Sequence, residues 1–255
     1  MKPKTLIFSG YGLNCEEETK FVFERAGADA DIVHINDLIE NPKRLNEYQI
    51  AALPGGFSYG DDLGSGRAFG LRLKNHIGGE LKKFLARDTL MIGICNGFQI
   101  LTSSGILPGT LLENSGARYI DRWVDLDVIG ESPWLSGLET LTLPIAHGEG
   151  RYYLPPKEFA SLKENGLVAL KYKNGEIAKH FDLAANPNGS QEGTAGITGY
   201  NGRVLGMMPH PERGQFFTQL PHWPYLKDRY ERSGSEIPQD GPGIAIFKNA
   251  VKYFA

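Results

Sequence analysis

The chain has 255 residues, 41% of them hydrophobic, with 27 Lys and Arg against 30 Asp and Glu. That content supports a sizeable core and one domain over residues 1–255. A formal net charge of −3 with no basic run leaves no electrostatic footprint for nucleic acid. Two cysteines, outside any CxxC pair or Cys/His cluster of zinc spacing, exclude a disulfide scaffold and give no structural metal site.

The apolar run after Met1-Lys2-Pro3-Lys4 is too short for a signal peptide, and nothing approaches the roughly 20 residues of a membrane span. A cytoplasmic protein with reduced thiols is expected.

In chain order, Leu6-Ile7-Phe8 predicts a strand that stops at the loop GYGLN. Asn14 is a candidate cap for a helix whose first turn holds Glu16, Glu17 and Glu18, and Gly27 suits its end. Residues 31–35 and the run IAAL before Pro54 read as further strands. A glycine-rich loop over residues 55–66 follows, then a helical segment from Phe69 to Leu85, with a break expected near Gly78-Gly79. Leu90 to Ile94 is continuously apolar, as in a strand buried on both faces. Such βαβα alternation predicts a three-layer α/β/α fold with a mostly parallel central sheet.

After about residue 110 the pattern changes. WVDLDVIG, LTLPIAHG and LVALKYKNG read as strands without obvious helices between them, a small and partly antiparallel extension. VLGMMPH returns to a buried strand, and residues 244–254 carry apolar groups at helical spacing. Residues 215–242 form a long aromatic, charged, proline-rich stretch expected to be a functional or mobile loop.

LMIGICNGFQIL holds the strongest chemical signal. Cys95 ends a buried strand and begins a helix, with Gly93 and Gly97 two residues to either side. A sharp strand-to-helix turn needs small neighbours and lifts the nucleophile to the carboxyl edge of the sheet, where ligands bind in open α/β folds. A lone cysteine is more often a small buried hydrophobe; the strand, elbow and helix around this one favour a nucleophile. MMPHPE offers a base, His210, and a group to orient it, Glu212. Pro54-Gly55-Gly56 can turn a backbone N–H toward a substrate carbonyl, and the N–H of Asn96 can supply a second oxyanion donor, each worth about 2.7–4 kcal/mol. The glycine-rich loop matches neither GxxxxGK[ST] nor a clean GxGxxG, so a nucleotide site is not supported.

The three segments in this order resemble the class I glutamine amidotransferases. GGFSYGDDLGSG, GICNGFQIL, HGEGR, NPNGS and GMMPHPER narrow the resemblance, from the first strand to the last helix, to the glutaminase subunits of phosphoribosylformylglycinamidine synthase in purine biosynthesis. The resemblance implies a flavodoxin-like fold of the class I amidotransferase type. Cys95, His210 and Glu212 match the catalytic residues, Gly56 and Asn96 the oxyanion donors, and Gln99 a residue holding the α-amino and carboxylate end of L-glutamine. Gly55, Gly56 and Phe57 match the loop that lines the pocket. It also implies a synthetase partner that makes formylglycinamidine ribonucleotide with ATP and Mg on its own chain, no cofactor on this one, and leaves open a small bridging subunit. Residues 215–241 exceed what the shortest members carry.

Several residues keep two readings. His147 and Arg151 could line the site mouth or meet the synthetase, or belong to a strand-end turn with solvated charge. Arg118 and Arg122 could touch substrate or partner, or serve surface and packing. NPNGS is a turn by composition and could also face the partner. Cys15 is expected to pack. His222 and Trp223 could anchor an interface or belong to a disordered segment. Two rival functions stand: another cysteine hydrolase on the same elbow, such as a peptidase or deglycase-like protein, and a non-catalytic regulatory module. The first expects a His next to the elbow, where Asn96 stands; the second expects loss of Cys, His or Glu, and all three are present.

Overall fold

Continuous apolar runs become strands that are covered on both faces. In the computed structural model, which describes residues 2–61 and 64–255, β1 (Lys4–Ser9), β2 (Asp29–His34), β3 (Ile50–Leu53) and β4 (Leu90–Ile94) pair in parallel. β3 and β4 are buried at every position, as expected for strands between two helical layers. The intervening helices are α1 (Glu16–Ala26), α2 (Ile35–Glu40), α3 (Arg67–Ala86) and, after the elbow, α4 (Asn96–Ser103). Asp62 and Leu63 of the glycine-rich loop, and Met1, lie outside the described residues.

Cys15, not Asn14, occupies the cap position of α1, and no side chain there bonds the first turn; Gly27 ends the helix in the left-handed conformation. α3 runs unbroken through Gly78 and Gly79. Phe69, Leu73, Ile77, Leu81, Phe84 and Leu85 keep one stripe buried on either side of them, and that packing outweighs the roughly 1 kcal/mol cost of each glycine.

Beyond β5 (Thr110–Leu112) come β6 (Ile120–Val128), β7 (Thr140–His147), β8 (Arg151–Tyr153), α5 (Pro156–Glu164), β9 (Val168–Lys173), α6 (Glu176–His180), β10 (Thr194–Gly199) and β11 (Val204–Met207). β11 inserts in parallel beside β4, and the antiparallel strands continue the same sheet, giving the order β2-β1-β3-β4-β11-β10-β9-β6-β7. The expected extension therefore supplies four antiparallel strands, β10, β9, β6 and β7, of the nine-stranded sheet, while β5 and β8 form a separate pair. β7 alternates buried and half-buried positions, as an antiparallel strand with one solvated face should. α5 has no clear sequence signal because only Phe159 and Leu162 are buried.

Residues 215–242 contain helix α7 (Trp223–Ser233), in which no residue is buried, and α8 (Ile244–Lys252) closes the chain against α1 through Phe23 and Phe247. The base of the excursion is pinned. Arg25 donates to the Gln215 carbonyl at 2.7 Å and to Asp240 at 2.5 Å, and Gly241 N–H donates to Gln215 at 2.9 Å. His222 precedes α7 without a side-chain bond to its first turn and lies 4.0 Å from Glu176. Among the described residues, no helix is long and apolar enough to cross a membrane.

Candidate active site

Three neighbouring parallel strands deliver the site. β3 ends into Gly55-Gly56, β4 into Cys95, and β11 into Met208-Pro209-His210, with Leu53 and Gly206 both in register with Gly93. Sequence-distant segments thus emerge side by side at one carboxyl edge.

Cys95 has φ 50° and ψ −105°, a conformation costly for a residue with a side chain. The surroundings enforce it. Its N–H donates to the Met207 carbonyl at 2.8 Å, extending the sheet, while its own carbonyl accepts from Phe98 and Gln99, starting α4. Gly97 packs so tightly on β3 that an added Cβ would fall 1.9 Å from the Leu53 carbonyl oxygen. The glycine two residues past the nucleophile is therefore a requirement of close approach.

His210 precedes a short turn, Pro211–Arg213, that holds Glu212 and brings its Oε1 2.5 Å from His210 Nδ1. Both side chains are buried. Burial, the largest single influence, opposes the imidazolium; the negative charges of the Glu212 carboxylate and the Cys95 thiolate outweigh it and hold His210 well above the ordinary imidazole range. The antiparallel half of the sheet reaches over this edge. The Pro144 carbonyl accepts from the His210 N–H at 2.8 Å, and the Ala146 carbonyl lies 3.7 Å from Cys95 Sγ.

The glycine-rich loop is held by main-chain bonds. Gly55 O accepts from Asn14 and Cys15, and Phe57 N–H donates to Gly12 O at 2.9 Å. Among the described residues the Gly56 amide has no backbone acceptor, and the Asn96 amide opens α4 and so has none within the helix. These two can face a developing oxyanion. Gly55 is a packing position: a Cβ there would fall 2.7 Å from His210 Cε1. The Phe57 ring is exposed and lies 6.3 Å from that of Tyr119, an aromatic pair that no sequence signal placed together.

Gln99 is buried, and both ends of its amide are engaged: Oε1 accepts from Asn96 Nδ2 at 2.7 Å and Nε2 donates to the Glu149 carbonyl at 2.5 Å. It ties the elbow helix to the HGEGR loop. His147 is no solvated charge. It is 2% exposed, its Nδ1 lies 3.0 Å from Asn114 Oδ1, and burial followed by the nearby His210 lowers its pKa to about 4. Of the two readings, the turn with solvated charge fails at this position, because Asn114 also bonds Gly150 N–H and the His147 and Arg118 carbonyls and closes the turn over the ring. Arg151 is half-buried and donates to the Glu113 carbonyl at 2.9 Å, and the Arg118 side chain is exposed. Arg122 donates to the Ala184 carbonyl.

NPNGS braces the same loop from behind: Asn188 Nδ2 donates to the Gly150 carbonyl at 2.8 Å, and Ser190 Oγ accepts from Tyr152 N–H at 3.0 Å. Glu149 Oε2 accepts from Ser65 N–H, so HGEGR also joins the glycine-rich loop.

Cys15 was expected to pack, and it is buried; what the sequence did not signal is that it packs against the His210–Glu212 pair. The ligand-capable atoms of Cys15, His210 and Glu212 lie within 4.8 Å of one another. A cation there would have to break the His210–Glu212 bond and displace Arg213, which donates to Cys15 Sγ at 2.9 Å, so the cluster fits hydrogen bonding better than metal binding.

Comparison with known proteins places the chain among glutamine amidotransferases. Residues 2–254 match the family described as CobB/CobQ-like glutamine amidotransferase domain. A phosphoribosylformylglycinamidine synthase subunit PurQ from Methanococcus maripaludis is 44% identical, covering 99% of this chain and 97% of the relative. A subunit of the same name from Dehalococcoides mccartyi is 40% identical, covering 99% and 98%. A chain of the PurLQS structure from Thermotoga maritima superimposes with a TM-score of 0.72 at 31% identity, covering 100% of both.

Proposed function

Since the chain belongs to the CobB/CobQ-like glutamine amidotransferase domain family, and within it to the phosphoribosylformylglycinamidine synthase subunits PurQ, we propose that Cys95, His210 and Glu212 hydrolyse L-glutamine and that the ammonia serves a synthetase partner. The protein is the glutaminase subunit of the assembly that makes formylglycinamidine ribonucleotide in purine biosynthesis. The observation that carries the assignment of residues is the strained Cys95 elbow beside a buried His210–Glu212 pair.

Cys95 Sγ gives its proton to His210 and adds to the side-chain amide carbon. The oxyanion is met by the amides of Gly56 and Asn96. His210 then protonates the leaving nitrogen, ammonia departs, and a glutamyl thioester remains on Cys95. Water, deprotonated by His210, attacks the thioester, glutamate leaves, and the thiol is restored. Glu212 holds the ring tautomer and favours its cationic form. This chain needs no metal or cofactor for these steps; ATP and Mg belong to the synthetase. The likeness to a chain of PurLQS supports a multi-subunit assembly, and the two free thiols fit a reducing cytoplasm.

The interlocked loops of residues 55–66, HGEGR and NPNGS are the candidate elements through which a docked synthetase raises glutaminase activity, and any such partner must bind the active arrangement more tightly than the inactive one. The test of the assignment is a glutamine-mimicking electrophile followed by mass spectrometry. The label is expected on Cys95, with glutamate release abolished in Cys95→Ala; loss of activity with the label on Cys15 would sink it.

A further inference from the structure

The mechanism gives Cys15 and Arg213 no task, yet both touch its machinery. Cys15 ends the first glycine-rich loop and is 1% exposed. A Cβ added at Gly55 would fall 2.7 Å from His210 Cε1, 3.0 Å from Cys15 Sγ and 3.4 Å from His210 Nδ1, so the thiol and the imidazole both face this glycine. The Cys15 N–H donates to the Gly55 carbonyl at 3.2 Å, fastening the thiol's own backbone to the loop that carries Gly56.

Arg213 fixes the thiol from the other direction. Its Nη2 donates to Cys15 Sγ at 2.9 Å and to Glu18 Oε1 at 3.4 Å, and its Nε lies 3.8 Å from Glu212 Oε1. The ionisable groups around the ring are thus Glu212, Cys95 and Cys15, with His147, Tyr119 and Arg213 as charged or titrating neighbours. Burial pushes the Cys15 thiol up, so it stays protonated and does not compete as a nucleophile.

The Nδ1 bond to Glu212 fixes one end of the imidazole, but among the described residues Nε2 has no hydrogen-bond partner, so the ring is free to tilt about that bond. A bulky thiol within 4.8 Å of the ring nitrogen limits that freedom. We propose that Cys15, held in place by Arg213, is a positioning residue that braces the His210 imidazole and ties the base to the loop bearing the Gly56 oxyanion donor. This role rests on the assignment of Cys95 and His210 as nucleophile and base.

The experiment measures glutamate release by Cys15→Ala, Cys15→Ser and Arg213→Gln proteins in the complex with the synthetase, across pH, with the alkylation rate of Cys95 by iodoacetamide as a substrate-independent readout. Cys15→Ala is expected to lower kcat about 10-fold, a fraction of the roughly 10²–10⁴ that a positioned base supplies, with KM unchanged within about 2-fold. Loss of a contact that favours the imidazolium also moves the alkaline limb of kcat/KM to lower pH. Cys15→Ser, which keeps a polar contact at the ring, restores the limb, and Cys95 alkylation slows in parallel with kcat.

A folded Cys15→Ala protein with wild-type kcat and pH profile overturns the bracing role. If that variant does not fold, Arg213→Gln decides: it leaves the thiol in place but unclamped, so lowered kcat at constant KM supports the role and wild-type kcat overturns it. Cys95→Ala is run alongside. Should it retain glutamate release, the site assignment itself falls; should it be inactive while Cys15→Ala behaves as wild type, only the bracing role falls.

Discussion

The side-chain amide of Gln99 donates to the backbone carbonyl of Glu149 at 2.5 Å while accepting from Asn96. The helix that begins at the nucleophile is therefore fastened to the HGEGR loop by the residue that the family resemblance assigns to substrate binding. Gln99→Leu should release that loop and leave the buried Asn96 Nδ2 unpaired, at about 1–3 kcal/mol. A KM increase together with a fall in kcat, and a lowered denaturation midpoint, is the expected pattern. A change in KM alone at unchanged stability would assign Gln99 to substrate only.

His210 and Glu212 should be unequal. Removing His210 removes the proton acceptor, so His210→Ala is expected to lose at least about 10³-fold in kcat, while Glu212→Gln loosens the base and loses less. His210→Ala also strands the buried Glu212 carboxylate, and breaking such a pair costs about 3–5 kcal/mol, whereas Gln at position 212 still offers an acceptor to the ring. Stopped assays on the assembled complex and thermal melts read the two effects separately. Full activity in His210→Ala would refute the triad.

The buried His147 gives a pH signature. Its pKa is lowered from 6.5 to about 4, so below pH 6.5 the unfolded chain binds a proton that the folded chain refuses. Stability should fall as pH drops from about 6.5 towards 4, by about 3 kcal/mol at roughly 1.4 kcal/mol per pH unit. His210 runs the other way: its raised folded value contributes stability that is complete below pH 6.5 and lost as pH climbs through that value. Denaturant melts of wild type and His147→Gln across pH 4–7 should show the acid loss shrinking in the variant. Parallel curves would contradict the burial effect.

Gly97→Ala tests the elbow. Its Cβ would meet the Leu53 carbonyl at 1.9 Å, a clash with backbone that no rotamer relieves. Overpacking of this kind costs typically about 1–3 kcal/mol, and α4 must shift away from β3, carrying the Asn96 amide with it. Lowered stability with loss of glutaminase activity is expected; wild-type behaviour in both would show that the elbow does not depend on that approach.

The sequence by itself determined the parallel half of the sheet, the elbow at Cys95 and the pairing of His210 with Glu212. Each rests on short-range constraints: an apolar run of five residues at β4, glycines two positions either side of Cys95, and a base and its partner two residues apart at His210 and Glu212. It did not determine that α3 passes through Gly78-Gly79, that the strands after residue 110 continue the main sheet, that His147 is buried and neutral, or that α7 stands inside the long stretch. Those outcomes depend on what a segment packs against. The meeting of Cys15 with Arg213, 198 residues apart, was decided only by tertiary structure, because parallel strands bring distant segments to one edge while leaving no local pattern in either of them.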